Sequence, residues 1–298
     1  MSLAPRAVLV HRTTEYEELV ARHGTHGQAA FFLSSRGRDI AEVAERHRRA
    51  QRALTEAAAA VPLSWRRATV ERADLDRFLF APQDVVIVVG QDGLVANVAQ
   101  YVGALPVVGV DADPGRNPGV LVRHRPADVA RLLGTAAGTD ELTMVEAVTD
   151  DGQRLVALNE IYVGAAGHRT ARYRLGLDST SVDGAVVEAQ ASSGVLIGTG
   201  TGATGWLRSV WQERGGAGRL PAPTDDRLLW FVREAWPSPV TGTRLSAGEL
   251  TASARLSLTV ESESLVAFGD GMEADAVALT WGQTVRVGVC GERLRLVG

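Results

Sequence analysis

The sequence predicts two domains: an α/β domain built on a parallel sheet over residues 1–135, then a β-rich domain over residues 136–298. Three observations carry this. Strand-like and helix-like segments alternate through the first part, as parallel βαβ folds require. Short strand-like segments parted by Gly and Asp fill the second. The length of 298 residues is enough for two separate cores.

Taken in order, Val8-Leu9-Val10 reads as the first strand, and residues 40–60 carry apolar residues at helical spacing among Glu and Arg. Residues 84–89 form a β-branched run ending in Gly90, the mark of a strand buried on both faces. A short helix over 95–102 and a strand over 106–110 complete a βαβ unit, so the sheet is expected to be parallel and Rossmann-like. A helical stretch at 127–133 closes the first domain. Beyond it, strands are predicted at 143–149, 155–163, 171–182, 186–190, 195–199, 256–260, 264–268 and 284–289. One helix, at 204–214, interrupts them before a turn-rich stretch at 215–226.

Composition narrows the function classes. The chain is 45% apolar and 22% charged, with a formal net charge of −4, so it has no general attraction for nucleic acid. No apolar run is long enough to span a bilayer, and the N-terminus lacks a charged segment followed by an apolar stretch. A cytoplasmic location is expected. Cys290 is the one cysteine, which rules out an internal disulfide and reads as a small buried hydrophobe. All 31 basic residues are arginine. Without lysine there is neither a Walker-A phosphate loop nor Schiff-base chemistry, so any phosphate must be met by arginine, backbone N–H groups and a metal.

Four segments can carry chemistry. Gly90-Gln91-Asp92-Gly93 lies at the carboxyl end of the best-defined parallel strand, where ligands of open α/β sheets gather, and a helix N-terminus follows. Asp92 there suits a general base or a metal contact, or else a helix cap. Asn159-Glu160 places two polar side chains inside an apolar run, which is costly unless they are hydrogen-bonded or meet a ligand. If that run is one unbroken strand, the two face opposite sides. Thr199-Gly200-Thr201-Gly202-Ala203-Thr204-Gly205-Trp206 alternates hydroxyl and glycine, a loop of N–H and O–H donors suited to phosphate or ribose. Its formal G-x-G-x-x-G is not a dinucleotide fingerprint, because it sits in the β-rich half without the acidic strand that should follow. Asp270-Gly271 is by itself an Asp-Gly turn signal.

In this order the segments resemble the NAD-kinase family. Gly90-Gln91-Asp92-Gly93-Leu94 aligns with its Gly-Gly-Asp-Gly-Thr, and Asn159-Glu160 with its Asn-Glu. Thr199 to Trp206 is similar to its Thr-Pro-Thr-Gly-Ser-Thr-Ala-Tyr, and Asp270-Gly271 falls at its Asp-Gly-Gln. Val108-Gly109-Val110-Asp111-Ala112-Asp113-Pro114 and Ser192-Ser193-Gly194 look most like the mitochondrial-type branch. The resemblance covers roughly residues 84–287.

It implies an NAD-kinase-like two-domain architecture and a homodimer that moves a phosphoryl group from ATP, with Mg²⁺ or another divalent cation, to the 2′-hydroxyl of NAD's adenosine ribose. Asp92 would take the hydroxyl proton, and Gly90 and Gly93 would leave room for phosphates. Asn159 and Glu160 would hold the adenosine half. Thr199, Thr201, Gly202 and Thr204 would contact the acceptor, with Asp270 in the same binding set. No side chain is assigned to the metal, and Arg123, Arg125 and Arg169 are the phosphate partners considered. Gln91, Leu94 and Met272 depart from the family pattern. They keep open a sister kinase with a different hydroxyl acceptor, or a non-catalytic NAD(P)-binding sensor.

Overall fold

The computed structural model describes residues 4–116, 119–134, 138–178 and 187–298. The chain divides into two compact units, Met1–Asp140 with Arg295–Gly298, and Glu141–Leu294.

The first unit holds β1 (Arg6–His11), α1 (Glu15–His23), α2 (His26–Ser34), α3 (Ile40–Ala60), β2 (Arg66–Glu71), β3 (Asp84–Gly90), α4 (Asp92–Val102), β4 (Pro106–Asp111) and α5 (Val129–Gly134). Its strands run parallel in the order β2-β1-β3-β4, and the end of the chain's last strand adds Arg295 and Leu296 beside Pro106 and Val107. On one face Leu9, Ile87, Val89, Val108 and Val110 pack against Ala53 and Ala57 of α3 and Val129 and Leu132 of α5. The alternate residues Val8, Val10, Val86 and Val88 are equally buried on the other face. This double burial is why the β3 run carries no polar alternation.

The sequence reading assigns nothing to residues 12–35, where α1 and α2 stand. Thr14 caps α1 and Glu17 answers it in a capping box, so the local signal was present. Leu19, Ala29, Leu33 and Val43 form a small core there.

The second unit holds most of β5 (Thr139–Thr149), then β6 (Arg154–Ala157), β7 (Glu160–Gly164), β8 (Ala171–Asp178), β9 (Val187–Ser192), β10 (Val195–Gly198), α6 (Trp206–Glu213), β11 (Arg227–Val232), β12 (Ala247–Thr251), β13 (Arg255–Val260), β14 (Ser264–Gly269), β15 (Val277–Thr280) and β16 (Thr284–Val297) up to Leu294. One sheet joins β9, β8, β13, β16, β5 and β6. The other runs β12-β11-β10-β7-β14-β15 and is antiparallel throughout. They share a core in which Tyr173, Leu175, Leu258 and Val287 of the first sheet meet Ile161, Ile197, Trp230 and Leu265 of the second. Leu207 and Val210 of α6 cluster with Tyr162, Leu196 and Phe231 on the second sheet's opposite face.

Two expectations change here. The strand expected at 155–163 is broken by a bend at Leu158 and Asn159 into β6 and β7. The strand expected at 171–182 ends, as far as described, at Asp178, and residues 179–186 lie outside the described residues. The sequence reading also assigns no strand to β2, β11, β12 or β15. Among the described residues no helix is long and apolar enough to cross a membrane.

Candidate functional site

In the first unit, β3 delivers the chain to Gln91, which stands at the N-cap of α4 without a side-chain capping bond, so Asp92 is the first helical residue. Asp92 is not a cap. Its Oδ1 accepts the N–H groups of Leu121 and Val122 at 2.8 and 2.9 Å, and its Oδ2 accepts that of Val120 at 3.0 Å. An ionised carboxylate has about four lone-pair positions, so these amides leave one, on Oδ2.

The segment so held lies along β4, where Asp111 N–H donates to His124 O and His124 N–H donates to Gly109 O. A Cβ on Gly109 would sit 2.0 Å from Leu121 O, so this close approach requires glycine. The glycines beside Asp92 differ from one another. A Cβ on Gly90 would lie 2.9 Å from Leu94 Cδ2, so the space expected at Gly90 for phosphate is filled on that side by a buried Leu94. Gly93 has nothing within 4 Å of its Cβ position and is open.

In the second unit the bend between β6 and β7 exists because another carboxylate holds it. Leu158 N–H donates to Asp270 Oδ2 at 2.8 Å and Asn159 N–H to Oδ1 at 2.7 Å. Asp270 N–H returns a bond to Glu160 O at 3.1 Å. Asp270 and Gly271 have φ of 52° and 70°, and Met272 N–H closes the turn on Gly269 O. Such a turn needs residues that tolerate the left-handed region, which Asp and Gly do.

The Thr-Gly loop after β10 locks onto the same bend. Thr199 Oγ1 donates to Leu158 O at 2.6 Å and Thr199 N–H to Asn159 O at 2.8 Å. Thr199 Oγ1 in turn accepts Thr201 N–H and Gly202 N–H at 3.1 and 3.3 Å. Thr204 Oγ1 donates to Thr201 O. The glycines are places of backbone contact: a Cβ on Gly200 would lie 2.0 Å from Ala222 O, and one on Gly202 would lie 2.4 Å from Asn159 O. The second unit therefore brings together Asn159, Glu160, Thr199, Thr201, Gly202, Thr204 and Asp270, and the first unit brings together Gly90, Asp92 and Gly93. Thr199 is committed to structure, whereas the buried Thr201 hydroxyl has no hydrogen-bond partner among the described residues.

Glu160 is 8% exposed, and no described residue hydrogen-bonds or ion-pairs its carboxyl. Burial first, and the Asp270 charge second, push its pKa up to about 8. Asp270 as a residue keeps some exposure, but its carboxylate is set deep among protein atoms. That depth raises its pKa to about 6 against the opposing pull of the amides it accepts. Both shifts favour the protonated form, more strongly at Glu160 than at Asp270.

Of the arginines considered, Arg123 is paired with Asp140 at 2.6 Å, whereas Arg125 and Arg169 are exposed without an ion pair among the described residues. Among the described residues no three His, Cys, Asp or Glu side chains converge as a metal cage. Mg²⁺ that takes most of its ligands from nucleotide phosphates and water needs no such cage.

Sequence reasoning missed Tyr162, whose hydroxyl donates to Ser193 O at 2.7 Å and whose ring stacks on Trp206. A Cβ on Gly164 or Gly194 would fall 2.2 or 2.6 Å from that hydroxyl oxygen, so both glycines make room for the tyrosine. It also missed the 120–122 partners of Asp92, for which the sequence carries no signal because they are main-chain groups.

No protein-family profile matches the chain. It is 29% identical over 137 residues to the NAD kinase of Methylococcus capsulatus, covering 43% of this chain and 45% of that protein. It is also 29% identical over 179 residues to the NAD kinase of Halobacterium salinarum, covering 56% of this chain and 60% of that one. The chain thus spans about half the length of these curated relatives, and both matches support the NAD-kinase family.

Proposed function

We propose that this protein is an ATP-dependent kinase that phosphorylates the 2′-hydroxyl of the adenosine ribose of NAD, giving NADP. The observation that supports it most is the cluster in the second unit. Asn159-Glu160, the Thr-Gly loop and the Asp270 turn, three of the segments that resemble the family in sequence, are tied to one another by hydrogen bonds. In the proposed step the open lone pair of Asp92 Oδ2 takes the hydroxyl proton while that oxygen attacks the terminal phosphorus and ADP leaves. Such transfer depends mainly on positioning and on neutralising charge, which amides, arginine and Mg²⁺ carried with ATP supply without lysine. The same resemblance underlies the expectation of a homodimer of the mitochondrial-type branch, and the sequence without a bilayer-spanning run that of a cytoplasmic location.

A second reading, a nucleotide-binding sensor without turnover, is favoured by one observation: three backbone amides already occupy the Asp92 carboxylate. A transfer assay with labelled ATP and Mg²⁺, offering NAD, NADH, nucleosides and sugars, separates the two. Asp92→Asn is run beside it, with hydrogen exchange followed at Val120–Val122. Label on NAD that disappears in the variant while those amides stay protected assigns the base role to Asp92. Label on another acceptor moves the substrate. NAD binding without any transfer establishes the sensor and defeats the kinase.

A further inference from the structure

We propose that the cleft between α1 and α2 binds a small organic anion in which a phosphate or carboxylate is joined to a flat ring.

The cleft follows from how α2 is patterned. Ala29 and Leu33 enter the small core that α2 shares with Leu19 of α1 and Val43 of α3. Gly27, Phe31 and Ser35 recur every four residues on another face, with Gln28, Phe32 and Arg36 beside them. That face and the end of α1, Arg22 and His23, line a cavity of about 540 Å³, within the range that holds a small-molecule ligand. Gly27 has nothing within 4 Å of its Cβ position, so the wall there is bare backbone facing open space.

The lining includes Arg22, His23 and Arg36 and no acidic residue. The carboxylates of α1 are engaged elsewhere: Glu15 pairs with Arg38 and Arg46, Glu17 closes the capping box, and Glu18 pairs with Arg12. Arg22 has no hydrogen bond or ion pair among the described residues. Arg36 is held in place without being neutralised. Its Cζ lies 3.8 Å from the centre of the Phe32 ring, and its Nη1 donates to Phe32 O at 3.1 Å and to Ser35 Oγ at 3.0 Å. Nε and Nη2, the edge with which arginine clasps an oxyanion through two parallel bonds, have no partner among the described residues. His23 packs on the same Phe32 ring at 4.3 Å, and its buried Nε2 has no hydrogen-bond partner among the described residues. Two arginines without a counter-charge, beside an imidazole nitrogen without a partner, are complementary to an anion.

The ring follows from Phe31. It is 77% exposed on the face that lines the cleft, next in sequence to a phenylalanine that packs against the core. An exposed ring beside cations favours a ligand that brings a flat apolar surface with its charge, and offers nothing to a bare hydrated ion. Nucleotides and free aromatic acids share this chemistry.

None of these residues belongs to the segments assigned to NAD and ATP, so the test is independent of that reading. It is an amide-resolved NMR titration of the full chain with AMP, ribose 5-phosphate, adenosine and 1-naphthoate. The expected result is saturable shifts at Gly27, Gln28 and Ser35 with AMP, 1-naphthoate or both, at a dissociation constant below about 1 mM. Ribose 5-phosphate and adenosine, which carry the anion or the ring alone, should bind there at least about tenfold more weakly. Tighter binding of AMP identifies a nucleotide site, and tighter binding of 1-naphthoate a site for an aromatic acid. Arg22→Ala combined with Arg36→Ala, and separately Phe31→Ala, should each weaken binding at these amides by at least about tenfold. Spectra elsewhere should stay unchanged, because all three side chains are exposed. Shifts confined to the Thr-Gly loop, equal affinity for AMP and ribose 5-phosphate at α2, or unchanged affinity in the double variant would overturn the proposal. So would the absence of any saturable shift at α2 up to about 10 mM ligand.

Discussion

The two Asp-Gly pairs, Asp92-Gly93 in the first unit and Asp270-Gly271 in the second, are alike in sequence and unlike in backbone. Asp92 begins a helix, whereas Asp270 and Gly271 are both left-handed and reverse the chain. Yet each carboxylate does the same work on a distant segment, Asp92 on the amides of 120–122 and Asp270 on those of 158–159. Asp270 has the buried carboxyl of Glu160 beside it. An Asp in a chemical motif can thus be required first as an anchor. What chemistry it retains is set by the lone pairs left over and by its neighbours.

That parallel breaks most sharply on removal of the anchors. Asp92→Ala strands the N–H groups of Val120, Leu121 and Val122, and should destabilise the first unit by about 4 kcal/mol, with loss of hydrogen-exchange protection at those residues. Asp270→Ala strands two amides and gives up a residue suited to positive φ, and about 3 kcal/mol is expected by denaturant unfolding. Protection surviving intact in either variant would show that the corresponding carboxylate is dispensable as an anchor.

The glycines sharpen the comparison at smaller cost. Gly200→Ala drives a methyl group against Ala222 O and should cost about 2–3 kcal/mol, whereas Gly93→Ala enters open space at a helix start and should stay within about 0.5 kcal/mol of the wild type. Equal effects in thermal unfolding would contradict the close approach seen at Gly200.

The last effect is electrostatic, and it is read as a dependence on pH. Glu160 keeps its proton in the fold up to about pH 8, but an unfolded glutamate releases it near 4.5. Unfolding therefore releases a proton between these values, and this contribution to stability declines as pH rises through that window. Asp270 adds a slope of the same sign between 3.8 and about 6. Glu160→Gln removes the Glu160 slope, so its stability relative to the wild type should climb from about pH 4.5 and level off near 8. A flat difference would place the unpaired charge elsewhere.

Much of the fold was legible because it rests on local pattern. The run at 84–89 announced a doubly buried parallel strand, and residues 40–60 announced α3 to the residue. The strands of the second unit with clean alternation were found, among them β13 and β14. α1 was missed although its Thr14–Glu17 capping box was readable, because it is only nine residues long and buries a single residue, Leu19. The break at Leu158-Asn159 was not readable, since the run 155–163 is locally strand-like and the bend is imposed by a carboxylate more than a hundred positions away.

By itself the sequence determined the residue types, their order and the alternation of Thr and Gly, all of which are properties of near neighbours. It singled out Asp92, Asn159-Glu160, the Thr-Gly loop and Asp270 as the groups to watch. Only the tertiary structure decided that Asp92 is held by three main-chain amides, that Thr199 is committed to the bend while Thr201 is not, and that Glu160 lies unpaired beside Asp270. The physical reason is that hydrogen-bond occupancy and protonation depend on which remote backbone and charge a side chain meets, and backbone partners leave no mark in residue identity.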